Sequence, residues 1–347
     1  MDRRSLLRLL QSGLVASTAS VVLPSHANAT AEKKDKRPIA LLVPLTGPRA
    51  RLGLSMRQAA LLAENSQFVL SFDTGGTAAG AAAAVGLALR RKPALILGPL
   101  SAEEVPAVSS SVAGRVPIIA FSNDSVLRAP GVWIFGITAR QVTSAVLRYA
   151  RSRGVKSIAV IDDGSPWSAA AALAAGQLEG ELGLQVRVLQ VKAGQPLPAA
   201  GDAPDGLLLP GSGEAVLAAA RNLKDSGIQL LGTLQGIDNR PQALEALDGA
   251  WIASPDPAAF GTFASEFAAR NGGEAGTITA LAYDAAGIAN TLRAANTLSA
   301  QGLLDGKGFR GVTGPVRFRT DGSVARDFAI LMARPHGYEP VAVSSGS

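Results

Sequence analysis

The stretch Arg37-Pro38-Ile39-Ala40-Leu41-Leu42-Val43-Pro44-Leu45-Thr46-Gly47-Pro48 decides the fold. Ile39 to Val43 is short, apolar and branched, the pattern of a strand buried on both faces. Pro44 and Gly47-Pro48 break it into a loop. An Ala/Leu-rich helix is expected from about Leu54. Strand, polar loop and helix together form the opening unit of an open α/β domain. Ligands of such domains sit beside the carboxyl ends of the strands. Thr46, in the first of these loops, is therefore a candidate binding residue.

The unit recurs. Apolar runs at 68–72, 94–97 and 116–121 end in Asp73-Thr74-Gly75-Gly76, Gly98-Pro99-Leu100-Ser101 and Ser122-Asn123-Asp124. A second series follows: a helix over 139–153, then strands over 157–161, 186–191, 206–209 and 229–231. Their loops include Asp162-Asp163-Gly164-Ser165-Pro166-Trp167 and Pro210-Gly211-Ser212-Gly213. Helices that stop at a glycine and run at once into a strand predict parallel sheets covered by helices. The tail differs. Helices over 258–270 and 277–295 precede extended segments over 314–318, 328–333 and 341–343, which read as late antiparallel or edge strands.

Composition narrows the function. The chain has 347 residues, is 47% hydrophobic and 17% charged, and carries a formal charge of +6 with no cysteine and two histidines. This is a globular composition with room for two domains. Disulfides, thiol nucleophiles, thiolate metal sites and cysteine-linked lipid are excluded. Basic residues are scattered rather than interleaved with aromatics, so no nucleic-acid partner is expected. His26 lies near the N-terminus and His336 in a Pro-His-Gly-Tyr turn, so neither a His-rich metal site nor a hydrolase triad is expected. Gly211-Ser212-Gly213 lacks the third glycine of a dinucleotide fingerprint, since Val216 stands there. Asp162-Asp163 suits a metal or the capping of the next helix. No cofactor is expected, and the chain reads as non-enzymatic: hydroxyls, amides and backbone N–H groups crowd the strand ends, and these hold ligands without transforming them.

Residues 1–29 read as an export signal: Arg3 and Arg4, a Ser/Thr-diluted apolar stretch, and Ala27-Asn28-Ala29 as a small-x-small cleavage site. The arginine pair before Ser5-Leu6-Leu7 resembles a twin-arginine signal, with a general secretory signal as the other reading. The expected mature protein is soluble and periplasmic, with no membrane span.

The ordered motifs Ala-Leu-Leu-Val-Pro-Leu-Thr-Gly-Pro, Ile-Leu-Gly-Pro-Leu-Ser, Val-Pro-Ile-Ile-Ala-Phe-Ser-Asn-Asp and Ala-Tyr-Asp-Ala resemble the type 1 periplasmic binding proteins, leucine/isoleucine/valine-binding branch. Within it the chain looks most like the penicillin-binding protein activators. The resemblance implies two α/β lobes, 38–137 plus 254–312 and 138–253 plus 313–343. Three crossings, near 135–138, 251–255 and 312–318, would join them around a cleft. It implies ligand-binding positions at Ser101, Ala102, Ser122 and Asp124 in one lobe and Trp167 and Gln235 in the other. A serine hydroxyl of the amino-acid binders is Ala102 here, a threonine position is Asp124, and the ammonium-pairing glutamate is Gln235. A buried ligand charge without its partner is costly, so a free amino acid is not the expected ligand. The activator resemblance implies a peptidoglycan synthase as partner. The alternative is a solute receptor for an ABC permease, with a small-molecule ligand. Known activators are lipoproteins, and this chain has no cysteine for such an anchor.

Overall fold

The computed structural model describes residues 35–63, 66–191, 202–223 and 225–346. The export segment, 1–29, and most of the Pro/Gly/Ala-rich connection after Val191 lie outside the described residues.

The first lobe is built on an all-parallel sheet of β1 (Ile39–Val43), β2 (Val69–Asp73), β3 (Leu95–Leu97), β4 (Ile118–Ala120) and β5 (Val132–Ile134). Their order is β2-β1-β3-β4-β5. Every residue of β1 is buried, as its unbroken apolar run requires. Helices α1 (Ala50–Leu62), α2 (Ala78–Arg90) and α3 (Val105–Val112) connect these strands. α1 begins four residues before the expected Leu54. Its Gly53 lets it lie directly on the preceding loop, because a Cβ there would stand 1.9 Å from the Pro44 carbonyl oxygen.

The second lobe carries a nine-stranded mixed sheet. β6 (Ser157–Asp162), β7 (Gln185–Gln190), β8 (Gly206–Leu209), β9 (Gln229–Thr233) and β10 (Trp251–Ser254) are parallel. β11 (Phe309–Gly311), β12 (Gly314–Phe318), β13 (Val324–Arg334) and β14 (Gly337–Ser345) complete it through antiparallel pairs. Helices α4 (Ala139–Ser152), α5 (Pro166–Leu182), α6 (Glu214–Leu223) and α7 (Pro241–Ala246) belong to this half of the chain. α8 (Pro257–Asn271) and α9 (Thr277–Ala294) follow, then the short α10 (Ala300–Leu303). α9 returns to pack along α1 of the first lobe. Its burial around much of the circumference explains why it lacks a polar face.

The chain crosses between lobes after β5, after β10 and between α10 and β11. Residues 251–254 and 309–311 are paired strands of the second sheet, so the last passage precedes β11. The crossings are tied by an aromatic cluster in which the Phe318 ring lies 6.0 Å from Trp133, 5.9 Å from Phe135 and 5.8 Å from Phe309. The turn after β12 folds back onto β5: Trp133 Nε1 donates to the Arg319 carbonyl at 2.7 Å and Ile134 N to the Gly322 carbonyl at 3.1 Å. Gly322 has φ +82°, and a Cβ there would stand 2.5 Å from the Val132 carbonyl oxygen, so the turn closes only on glycine.

Candidate functional site: the interlobe cleft

A cleft of about 1060 Å³ opens between the lobes, lined by residues of both and of the crossings. Its first-lobe wall is the loop after β4 together with Ala102. Its second-lobe wall is the start and outer face of α5 together with Gln235, and its floor is the start of α4 and the turn after β12. A second cavity, against β8 and β9, holds about 10 Å³, room for one water at most.

Local capping sets the second-lobe wall. Ser165 caps α5 by accepting from Ser168 N at 3.2 Å, and Pro166 takes the first helical position. Trp167 is half-buried. Its indole N–H donates to the Pro210 carbonyl at 3.0 Å and lies 3.2 Å from the Thr233 hydroxyl. The ring is therefore held rigidly against the lobe while remaining part of the cleft lining. At the floor, Thr138 and Gln141 form a reciprocal capping box at the start of α4. Gln141 Nε2 also donates to the Val324 carbonyl at 2.5 Å, fixing α4 to β13.

Four of the seven expected ligand positions, Ala102, Asp124, Trp167 and Gln235, line this one cleft. The Gln235 side chain is exposed and makes no hydrogen bond among the described residues. The other three are not in its lining, and local hydrogen bonds explain why. The Thr46 hydroxyl donates to Asp73 Oδ2 at 2.7 Å. The Ser101 hydroxyl donates to Glu104 Oε2 at 2.6 Å. The Ser122 oxygen is buried and accepts from Asp124 N at 3.1 Å. Ser101 and Ser122 close their own loops, and Thr46 ties the first loop to the end of β2.

Asp162 and Asp163 brace the loop before α5. Ser168 Oγ lies 2.8 Å from Asp162 Oδ1 and 2.6 Å from Asp163 Oδ1, and Gly164 N and Ser165 N donate to the same two carboxylates. Burial raises the Asp162 carboxyl, but the bonds from Ser168, Gly164 and Gln190 outweigh it and leave it below the ordinary range. Among the described residues, no group of three or more His, Cys, Asp or Glu is placed to hold a metal.

Sequence reasoning passed over the charged side chains of the cleft: Arg128, Arg140, Arg319 and Asp321. One signal was available for Arg140. It stands in the first turn of a helix, where a cation opposes the dipole and an acidic residue is the stabilising choice.

This chain belongs to the periplasmic binding protein family, whose sequence profile matches residues 37–337. Solved structures agree on the fold. A Rhodospirillum rubrum protein assigned to branched-chain amino acid ABC transport superposes with TM-score 0.73 at 18% identity, covering 88% of this chain and 99% of that one. The branched-chain amino acid transporter substrate-binding protein LivJ of Streptococcus pneumoniae, solved with isoleucine, gives 0.59 at 19%, covering 89% and 98%. A Rhodopseudomonas palustris ABC-transporter solute-binding protein, solved with 3,4-dihydroxybenzoic acid, gives 0.61 at 16%, covering 89% and 96%. No curated protein matches the chain. No helix among the described residues is long and apolar enough to cross a membrane.

Proposed function

We propose that this protein is an exported, non-catalytic solute receptor of the ABC-importer type that holds a small molecule between its lobes and presents it to a permease. The observation that carries this reading is the large cleft lined by both lobes and by the crossings, the geometry in which a ligand favours closure. Structural neighbours solved with isoleucine and with 3,4-dihydroxybenzoic acid support a scaffold that accepts chemically different solutes. The ligand positions proposed are Ala102, Asp124, Trp167 and Gln235, with Thr46, Ser101 and Ser122 shaping the loops beside them. A non-catalytic role fits a cleft whose carboxylates are engaged by their own loops, while His336 occupies the turn between β13 and β14. The lobe limits proposed start from 38–137 plus 254–312 and 138–253 plus 313–343, with all of β10 and β11 counted in the second lobe, whose sheet they join.

The penicillin-binding protein activator reading, with a peptidoglycan synthase as partner, has the sequence resemblance alone in its favour, and the receptor reading is preferred. Two experiments test the choice. Native mass spectrometry of protein purified from its own periplasm should show a retained small molecule. Affinity capture from solubilised membranes should recover a permease; recovery of a peptidoglycan synthase instead would reverse the preference. Residues 1–29 are taken as the export signal. Arg3→Lys with Arg4→Lys should retain precursor in the cytoplasm, and normal export of that variant would favour the general secretory route.

A further inference from the structure

We propose that Arg140 and Arg319 hold the acid group of an organic carboxylate. The ligand's anionic end would then lie at the floor of the cleft, away from the serine-bearing loops of the first lobe. This rests on the cleft being the solute site.

Among the described residues, three arginines and two aspartates are the charged side chains lining the cleft, an excess of one positive charge. The aspartates are already engaged. Asp124 Oδ1 accepts from Val126 N at 3.0 Å. Asp321 Oδ1 accepts from the Ser323 N–H at 2.9 Å and its hydroxyl at 2.6 Å, and Asp321 Oδ2 stands 3.7 Å from Arg128 Nε. Arg128 also donates to the Ser125 carbonyl at 3.0 Å.

The other two arginines are different. Arg140 donates to the neutral Gln177 Oε1 at 2.5 Å, and among the described residues it has no carboxylate within ion-pair distance. The Arg319 guanidinium makes no hydrogen bond there and feels Asp321 only through space. Both backbones are fixed: Arg140 lies in the capped first turn of α4, and Arg319 accepts from Trp133 and donates to the Ser323 carbonyl at 2.9 Å. Anchored main chains carrying unpaired guanidinium groups over one cavity favour an anion, and a planar carboxylate matches the donor fork. The start of α4 contributes potential of the same sign.

The first-lobe wall opposes an anion. Ser101 and Ser122, bonded within their own loops, stay out of its lining, and Asp124 brings negative charge to it. The rest of the cleft suits an apolar body: Val126 is 83% exposed and Leu173 65% exposed, and both line it with the fixed Trp167 ring. An ammonium group would add a second positive charge to a site already in excess, so the class is an apolar or aromatic monocarboxylate.

Isothermal titration with phenylacetate, 3-phenylpropanoate and hexanoate, each beside its primary amide, tests this. At least one acid should bind saturably, with its amide about tenfold weaker or worse, and phenylalanine weaker than 3-phenylpropanoate. Arg140→Gln and Arg319→Gln should each reduce acid affinity about tenfold. Both side chains are exposed, so thermal unfolding should not change. Amides binding as well as acids, or both glutamine variants binding normally, would overturn the assignment and leave the cleft a solute site of another chemistry. Absence of binding by every acid at millimolar concentration would overturn it too. Retention of a native small molecule by the purified protein separates that result from failure of the receptor reading.

Discussion

Asp284 on α9 accepts the Thr313 backbone N–H at 2.9 Å and its hydroxyl at 2.5 Å, so a helix packed on the first lobe grips the turn between β11 and β12 of the second sheet. The Val312 N–H donates to the same carboxylate at 2.8 Å. On its other side the Thr313 hydroxyl meets Arg326, which also donates to the Phe135 carbonyl at 3.0 Å and lies over the Phe135 ring. Burial raises the Asp284 carboxyl above its ordinary range against the bonds from Thr313 and Val312. Burial lowers the Arg326 guanidinium to about 10, with Asp284 pulling the other way. Thr313 thus mediates between two buried, opposite charges contributed by the two lobes.

Removing that hydroxyl leaves both charges short of a partner. Thr313→Val should destabilise the protein by about 2–4 kcal/mol, while Thr313→Ser should recover most of the loss. Thermal unfolding of the three proteins measures it; equal stability of the valine variant would show that Thr313 does not mediate.

Asp73 sets a pH dependence. Burial raises its carboxyl, but donation from Gly75 N, the Thr46 hydroxyl, Leu45 N and Thr46 N prevails, and its pKa lies below the ordinary 3.8. A depressed folded-state pKa gives stability that is fully present above the unfolded value and is lost as pH falls through the folded one. Asp73→Asn should therefore flatten the stability curve between about pH 5 and pH 2. Urea unfolding across that range would show an unchanged slope if Asp73 were uninvolved.

Trp167 reports on the cleft. Trp133 is buried and Trp251 is half-buried against Tyr149, with ring centres 4.9 Å apart. A solute in the cleft should alter the emission of Trp167, and Trp167→Phe should abolish most of that change while keeping the fold. Loss of the indole donor to Pro210 should cost about 1 kcal/mol. A signal that persists in the phenylalanine variant would place the bound solute elsewhere.

Closure can be read by cross-linking, because the chain has no cysteine of its own. Val126 and Leu173 are exposed residues of the same cleft, one from each lobe. In a Val126→Cys, Leu173→Cys double variant, a cleft solute should speed disulfide formation. Rates indifferent to the solute would argue against lobe closure along this line.

Much of this architecture was legible in order. Ile39 to Val43, the glycine-ended helices and the loops after each strand carry their information locally, and the two-lobe α/β fold follows from their repetition. β10 is not legible as a strand. Trp251-Ile252-Ala253-Ser254 is short, and its pairing with Met332-Leu331-Ile330-Ala329 depends on residues about eighty positions away. The candidate site was legible where a side chain's loop already pointed to it, as at Asp124 and Trp167. It was not legible for Thr46, Ser101 and Ser122, whose hydroxyls have partners in the same or the neighbouring loop that no spacing reveals. The arginines of the floor escaped because a lone charge in a sequence looks like any solvated surface residue until the fold shows which of them lacks a counterion.

The turn that Gly322 permits has a consequence for solubility. β5 is the outermost strand of the first sheet, and an uncovered outer strand offers its amides and carbonyls to any passing chain. The Gly322 carbonyl occupies one of those amides, and Arg319 holds the Trp133 side chain beside it. Residues at the floor of the cleft therefore also act as a guard against intermolecular strand addition. A substitution that lifts the turn would be felt first as aggregation, before any change in what the cleft binds.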